Sequence, residues 1–316
     1  MINEIYNIPN QNWMNDPVFF HFVRNLPFHI WIPLYFYFTG LSAGSFIVSS
    51  LYSVFKFDKF RPLALPAAIF AILLLVGAML CLILDMENPM RFYYVLVPWF
   101  FNPKSPVSYG AWLFVIYPLV CSIYAWYLHK KDPKKYKVLG IITIPLALSV
   151  HAYTGFFFAV IKAREYWYTA LMPGYFITSA ILSGIALLCL LVIFEERWVN
   201  IIPTIGEDKG LGGLLSPLSK IMTVIIPLEL FWAFSYFVVM LYGPEEGSIL
   251  AKVTLHDPIF YVGEIGLGMI IPLFLLNYSK TKDKKFWVGL SSILILIGVL
   301  IMRCTLVFKG FYLPLT

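Results

Sequence analysis

Charge is what this chain has least of. Only 13% of its 316 residues are Asp, Glu, Lys or Arg, while 60% are hydrophobic and the mean hydropathy is +0.80. A soluble domain needs a charged surface, so this balance excludes one and makes the chain an integral membrane protein. Cysteine is sparse too. Cys81, Cys121, Cys189 and Cys304 lie far apart in apolar stretches without a CxxC pair. That pattern encodes neither an iron–sulfur cluster nor a zinc site, and the four read as small buried apolar residues. Of His21, His29, His129, His151 and His256, only His151 is set deep in an apolar run. A membrane b-type haem takes histidine pairs on facing helices, so no haem is expected in this chain. There is no Walker loop and no dinucleotide glycine fingerprint, which removes nucleotide hydrolysis and nicotinamide chemistry.

What the chain does have is a series of apolar runs of about 20 residues, the length that crosses a bilayer as a helix. Eight occur, at 29–54, 62–84, 109–128, 138–161, 169–194, 217–242, 257–278 and 286–308. The runs are continuous rather than alternating, which argues against a β-barrel. The expected fold is therefore all-α, with eight transmembrane helices and no room for a soluble catalytic domain. Residues 1–28 lack the basic start and small-residue cleavage site of a signal peptide and read as an ordered or amphipathic lead-in.

Basic residues in short connectors orient such a chain. Fifteen of the 23 lysines and arginines fall after the first, third, fifth and seventh spans, in stretches such as "LHKKDPKKYKV" (128–138) and "YSKTKDKKFW" (278–287). This bias puts both termini on the non-cytoplasmic side. It also accounts for the net charge of +6, so no nucleic-acid partner is read from it.

Connectors on the opposite side are mixed in charge: Asp85, Glu87, Arg91 and Lys104 in one, Lys162, Arg164 and Glu165 in the next, Glu245, Glu246, His256 and Asp257 in the third. Opposite charges among aromatic residues suggest structured loops with ion pairs, alongside an interfacial aromatic belt that includes Trp99, Trp112 and Trp167. Within the spans the ionisable residues are few: His151, Glu229, Glu264 and Arg303. A charge at membrane depth costs several kcal/mol, so these four point to a partner, a cavity or a proton route. A structural Glu–Arg303 pair is the competing explanation. The small residues of "GLSAGS" (40–45) allow close helix packing.

The stretch "LDMENPMRFYYVL" (84–96), followed by "FNPKSPVSYGAW" (101–112), resembles the signature of the NrfD-type family, the quinone-reactive membrane subunits of polysulfide reductase and related respiratory complexes. "IPLYFYFTGLSAGS" (32–45), "YTGFFFAVIKAREYW" (153–167), "FYVGEIGLGMIIPL" (260–273) and "RCTLVFKG" (303–310) agree with it in order. The resemblance implies two four-helix bundles, residues 29–168 and 169–316, in a bacterial or archaeal cytoplasmic membrane. A site for menaquinone or ubiquinone would lie in the first bundle. Electrons would pass to or from an iron–sulfur, ferredoxin-like subunit on the non-cytoplasmic face, and through it a molybdopterin or haem enzyme, most closely of polysulfide or thiosulfate type.

Residue by residue, Tyr153 matches a tyrosine near the quinone, Lys162 and Arg164 a basic pair, and Asp85, Pro89 and Arg91 the motif ending the second helix. Tyr35 stands where a relative would carry a pocket histidine. A phenol donates a hydrogen bond but accepts protons poorly at neutral pH. His29 lies two turns earlier, and the ring base stays open. His151, Glu229 and Glu264 are candidate proton-path residues, and Glu87, Lys104 and Trp112 candidate partner-docking residues. With no redox centre of its own, the chain is expected to hold the quinone shallowly, beneath residues 85–108 and 162–168.

Two other function classes fit the composition. A secondary transporter or channel also carries membrane carboxylates, a central histidine and intramembrane prolines such as Pro145, Pro227 and Pro272. No convincing repeat is visible between residues 1–160 and 169–316 to support it. An inert anchor for a redox partner is the third reading.

Overall fold

The structure, a computed structural model, describes residues 28–194, 211–278 and 284–311 apart from Pro98, Phe100 and Lys104. The lead-in before residue 28, Lys104, and part of the lysine-rich connectors lie outside them. Among the described residues, eight helical segments are long and apolar enough to cross a membrane, and each falls on one of the eight runs. The spans are α1 (Trp31–Ser53), α2 (Arg61–Asp85), α3 (Pro106–His129), α4 (Pro133–Ala159), α5 (Met172–Ile193) and α6 (Leu215–Leu241). After a short helix α7 (Glu245–Leu255), the seventh span is a π-helix over Ile259–Ile270 that continues as α8 (Ile271–Asn277), and the eighth is α9 (Lys285–Lys309). The chain is an all-helical, multi-pass membrane protein.

Proline stands in the first turn of α2, α3, α4, α5 and α8, where its fixed φ suits the helix and its missing N–H is not needed. Asp132 caps α4 by accepting from the Lys135 backbone N–H at 3.4 Å. Helix α7 was not foreseen, because eleven residues carry too short a pattern to stand out. Its ends suit the helix dipole, with Glu245 and Glu246 in the first turn and Lys252 in the last.

Helices α1 and α5 form the centre: 72% of the apolar window of each is buried, more than in any other span. Beside α1, the helices α2, α3 and α4 close a ring; α5 packs against α1, α4, α6 and α9, and the seventh span packs chiefly on α9. Hydroxyls hold the first ring together. Ser42 donates to the Ala71 carbonyl and Ser49 to that of Ala64, both at 2.6 Å, while Tyr124 of α3 donates to Ser53 at 2.8 Å. In lipid, where apolar burial drives little association, such bonds and close backbone packing do that work.

The two central helices run parallel and meet through like residues. The Phe36 and Phe176 rings lie 5.9 Å apart, a Cβ on Gly40 would touch Ala180, and Gly44 and Gly184 abut backbone to backbone. Pro33, Tyr35, Phe36 and Gly44 match Pro173, Tyr175, Phe176 and Gly184 at one constant spacing. The sequence alone had shown no convincing repeat. With Leu51 and Leu191 added, five identities scattered along two apolar helices are too few to register until the crossing brings them together.

Candidate functional site: a cavity at one end of the spans

A cavity of 430 Å³ opens where α1 begins, α2 ends, α3 begins and α4 nears its end. Its walls are mostly apolar, from Ile32 and Phe36 through Met79, Leu82 and Ile83 to Val107, Phe114 and Phe157. The segment Pro89–Leu96, a 3-10 turn following α2, contributes Phe92, Val95 and Leu96. Three titratable side chains interrupt this lining: Tyr35, Asp85 and Tyr153. Size and character suit a flat organic ring with a few fixed polar partners.

Each polar group is set by its local fold. Tyr35 is buried on the inner face of α1 against the Phe114 ring, at 5.4 Å. Tyr153 reaches across to α3 because residue 110 is glycine; a Cβ there would overlap the phenol ring. Among the described residues, neither phenol oxygen hydrogen-bonds to the protein. Asp85 closes α2, and its Oδ1 accepts from the His29 backbone N–H at 3.2 Å while lying 3.3 Å from His29 Nδ1. Sequence reasoning had noted His29 but not this partner, 56 residues away.

The remaining candidates lie elsewhere. Arg91 and Lys162 are exposed and outside the cavity lining, as is Glu87. Arg164 is buried, 3.5 Å from Glu246 of α7 and over the Phe311 ring at 5.9 Å. Burial raises the Glu246 carboxyl, the Arg164 charge lowers it, and nearby Glu165 raises it again, with a net upward shift. Trp112 lines an open apolar groove with Phe101, Tyr109, Leu113 and Ile116. Two further contacts tie this end together: Trp167 Nε1–H donates to the Leu306 carbonyl at 2.7 Å, and Lys309 pairs with Asp257 at 2.5 Å. Burial alone would raise the Asp257 carboxyl, but the Lys309 hydrogen bond, the Ile259 N–H and the lysine charge hold it below the usual carboxylate value.

His151, Glu229, Glu264 and Arg303 are all buried and gather between the two central helices and the second set of spans. Tyr175 donates to Glu264 Oε1 at 2.7 Å. Arg303 lies over the Phe176 ring at 3.8 Å and donates to Ser179 Oγ and to the Phe176 carbonyl. His151 Nε2 is 2.8 Å from that carbonyl and 3.2 Å from Arg303 Nη2. Guanidinium only donates, so one ring nitrogen cannot serve both, and the shorter distance favours Nε2–H donating to the carbonyl. No direct carboxylate–Arg303 ion pair forms among the described residues. Among the described residues, both Glu229 oxygens, and Arg303 Nε and Nη1, have no hydrogen-bond partner. Tyr175 and Ser179 were missed by sequence reasoning; the match of Tyr175 to Tyr35 was the available signal.

These features define a class: a multi-pass helical membrane protein with a small-molecule cavity at one end and a separate buried polar cluster. The chain belongs to the polysulphide reductase, NrfD family, whose model matches residues 18–314. It is 29% identical to a selenate reductase subunit of Mesobacillus selenatarsenatis, over 90% of this chain and 74% of that one. It is 28% identical to the Hdr-like menaquinol oxidoreductase integral membrane subunit of Archaeoglobus fulgidus (88% and 69% covered) and to a polysulfide reductase subunit of Wolinella succinogenes (88% and 92% covered). It is thus an NrfD-family membrane subunit of the kind found in oxidoreductase complexes.

Proposed function

We propose that this chain exchanges electrons between the membrane quinone pool and an iron–sulfur subunit of a respiratory reductase complex, as its quinol-oxidising membrane subunit. The observation that carries the reading is the cavity itself: a slot between apolar walls with one carboxylate and two phenols that, among the described residues, have no hydrogen-bond partner. A quinol needs hydrogen-bond partners at both oxygens and an acceptor for its protons. Tyr35 and Tyr153 supply the first and Asp85 the second. The relative named as a menaquinol oxidoreductase subunit favours menaquinol.

In this reading residues 29–168 form the quinone-binding bundle and residues 169–316 a second bundle, with both termini on the non-cytoplasmic side. The ferredoxin-like partner docks at the cavity's end, against exposed Glu87, Arg91 and Lys162 and the Trp112 groove, and connects to a molybdopterin or haem subunit. A polysulfide or thiosulfate type of complex fits best. Glu264, Glu229 and His151 carry protons toward the opposite end.

The test is purification in mild detergent, extraction for quinone, and titration of a hydroxyquinoline N-oxide as quinol analogue. About one bound quinone, and analogue binding weakened about tenfold by Tyr153→Phe, as expected for the loss of roughly one hydrogen bond's worth of free energy, supports the proposal. A folded preparation that binds neither favours a transporter or an inert anchor.

A further inference from the structure

The cavity holds a carboxylate with an exit to solvent already attached. Asp85 lines the cavity with its side chain 11% exposed, while His29, bonded to it, is 64% exposed. Both His29 contacts fall on Oδ1, which leaves Oδ2 without a protein partner among the described residues. The other titratable groups of the lining are Tyr35 on α1 and Tyr153 on α4. Phenols titrate near 10 and are poor acceptors at neutral pH, whereas imidazole titrates near 6.5. Glu87 and Arg91, on the segment after α2, are exposed and outside the lining.

We propose that Asp85 and His29 form the proton-accepting relay of this cavity, Asp85 taking the proton from the substrate hydroxyl and His29 delivering it to solvent. The proposal rests on the quinol-oxidising reading above. The substrate O–H bond breaks as an O–H bond forms on the Asp85 carboxylate. The carboxylic acid then passes its proton to His29 Nδ1, the imidazolium releases a proton to water, and exchange of the exposed ring with solvent returns it to the Nε2–H form, with Nδ1 open for the next proton. Each passage accompanies one electron leaving the substrate for the partner's one-electron iron–sulfur acceptor. Two passages turn one hydroquinone into one quinone, two protons and two electrons. The Pro89–Leu96 segment begins just past Asp85, so the partner that receives the electrons would dock beside the proton exit.

The same contacts could simply fasten the start of α1 to the end of α2. His29→Gln separates the two roles, because glutamine keeps a hydrogen-bond donor but carries no proton. In the intact complex, this variant is expected to bind the hydroxyquinoline N-oxide within about twofold of wild type. Its kcat for quinol oxidation near neutral pH should fall at least about tenfold, in line with the loss of a positioned proton-transfer group. Added imidazole should restore part of the rate in His29→Ala. Calorimetry of analogue binding in two buffers of different ionisation enthalpy should show a proton exchange in wild type that His29→Gln lacks. An unchanged rate and pH profile in His29→Gln overturns the relay, as does a rate loss that tracks lost analogue binding without imidazole rescue. A wild-type complex that binds no analogue overturns the quinol reading and the relay with it.

Discussion

Tyr175 donates a 2.7 Å hydrogen bond to Glu264, whereas its counterpart Tyr35, at the matching place on α1, faces the cavity with no protein partner among the described residues. One tyrosine is committed to a carboxylate inside the protein and the other is available to a ligand. Quinol chemistry and the buried polar cluster should therefore be separable by mutation. Glu264→Gln is expected to leave analogue binding and quinol oxidation within about twofold of wild type while abolishing charge movement per electron in reconstituted vesicles; a twofold margin, about 0.5 kcal/mol, is the usual coupling limit between distant sites. Equal proton movement in both proteins would remove Glu264 from the path.

Tyr175→Phe takes the hydrogen bond from a buried carboxyl without leaving a large void. A buried polar group stripped of its partner costs about 1–3 kcal/mol. The variant should melt several degrees lower in detergent, and its deficit should vanish in the double variant with Glu264→Gln only if the two side chains act as a pair.

The α1–α5 crossing tolerates no added methyl. A Cβ on Gly44 would run into the Ala180 backbone, and one on Gly184 into that of Gly44 and Ser45. Overpacking of this kind costs about 1–3 kcal/mol or more. Gly44→Ala and Gly184→Ala should each lower the melting temperature, whereas Gly77→Ala, whose new methyl would meet only the Phe38 side chain at 3.9 Å, should not.

Gly110→Ala acts on the cavity through one ring. The new Cβ would overlap Tyr153, so the phenol must leave its place. Analogue binding should weaken by about tenfold or more, the worth of at least one displaced hydrogen bond. Gly110→Ala combined with Tyr153→Phe should bind no worse than the weaker single variant.

Asp257 and Lys309 give a stability signature in acid. The Asp257 carboxyl sits lower in the folded protein than its ordinary value near 3.9, so the pair stabilises the fold above that value. That stabilisation is lost as pH falls through the lower, folded-state value. Melting temperatures of wild type and Asp257→Asn should differ at pH 7 and converge as the pH falls below the ordinary carboxylate range.

The eight spans were legible in the sequence because lipid demands long continuous apolar runs, and nothing else in the chain imitates them. The cavity was half legible. Tyr35, Asp85 and Tyr153 do line one space, since motif and helix end place them at one end of neighbouring spans. Arg91, Lys162 and Arg164 do not, because loop side chains obey contacts that no spacing reveals; Arg164 turns to Glu246, in a helix too short to be seen beforehand. The π-helical seventh span was equally hidden, as its residues would suit an ordinary helix. Pairings such as His29–Asp85 form between residues distant in sequence and become visible only when the helix ends are assembled.

The parallel meeting of Phe36 with Phe176 and Gly44 with Gly184 relates the two central helices by a local two-fold axis that runs along them. Such a relation presents one position twice: in the first helix its tyrosine faces open space, in the other it is bound to an acid.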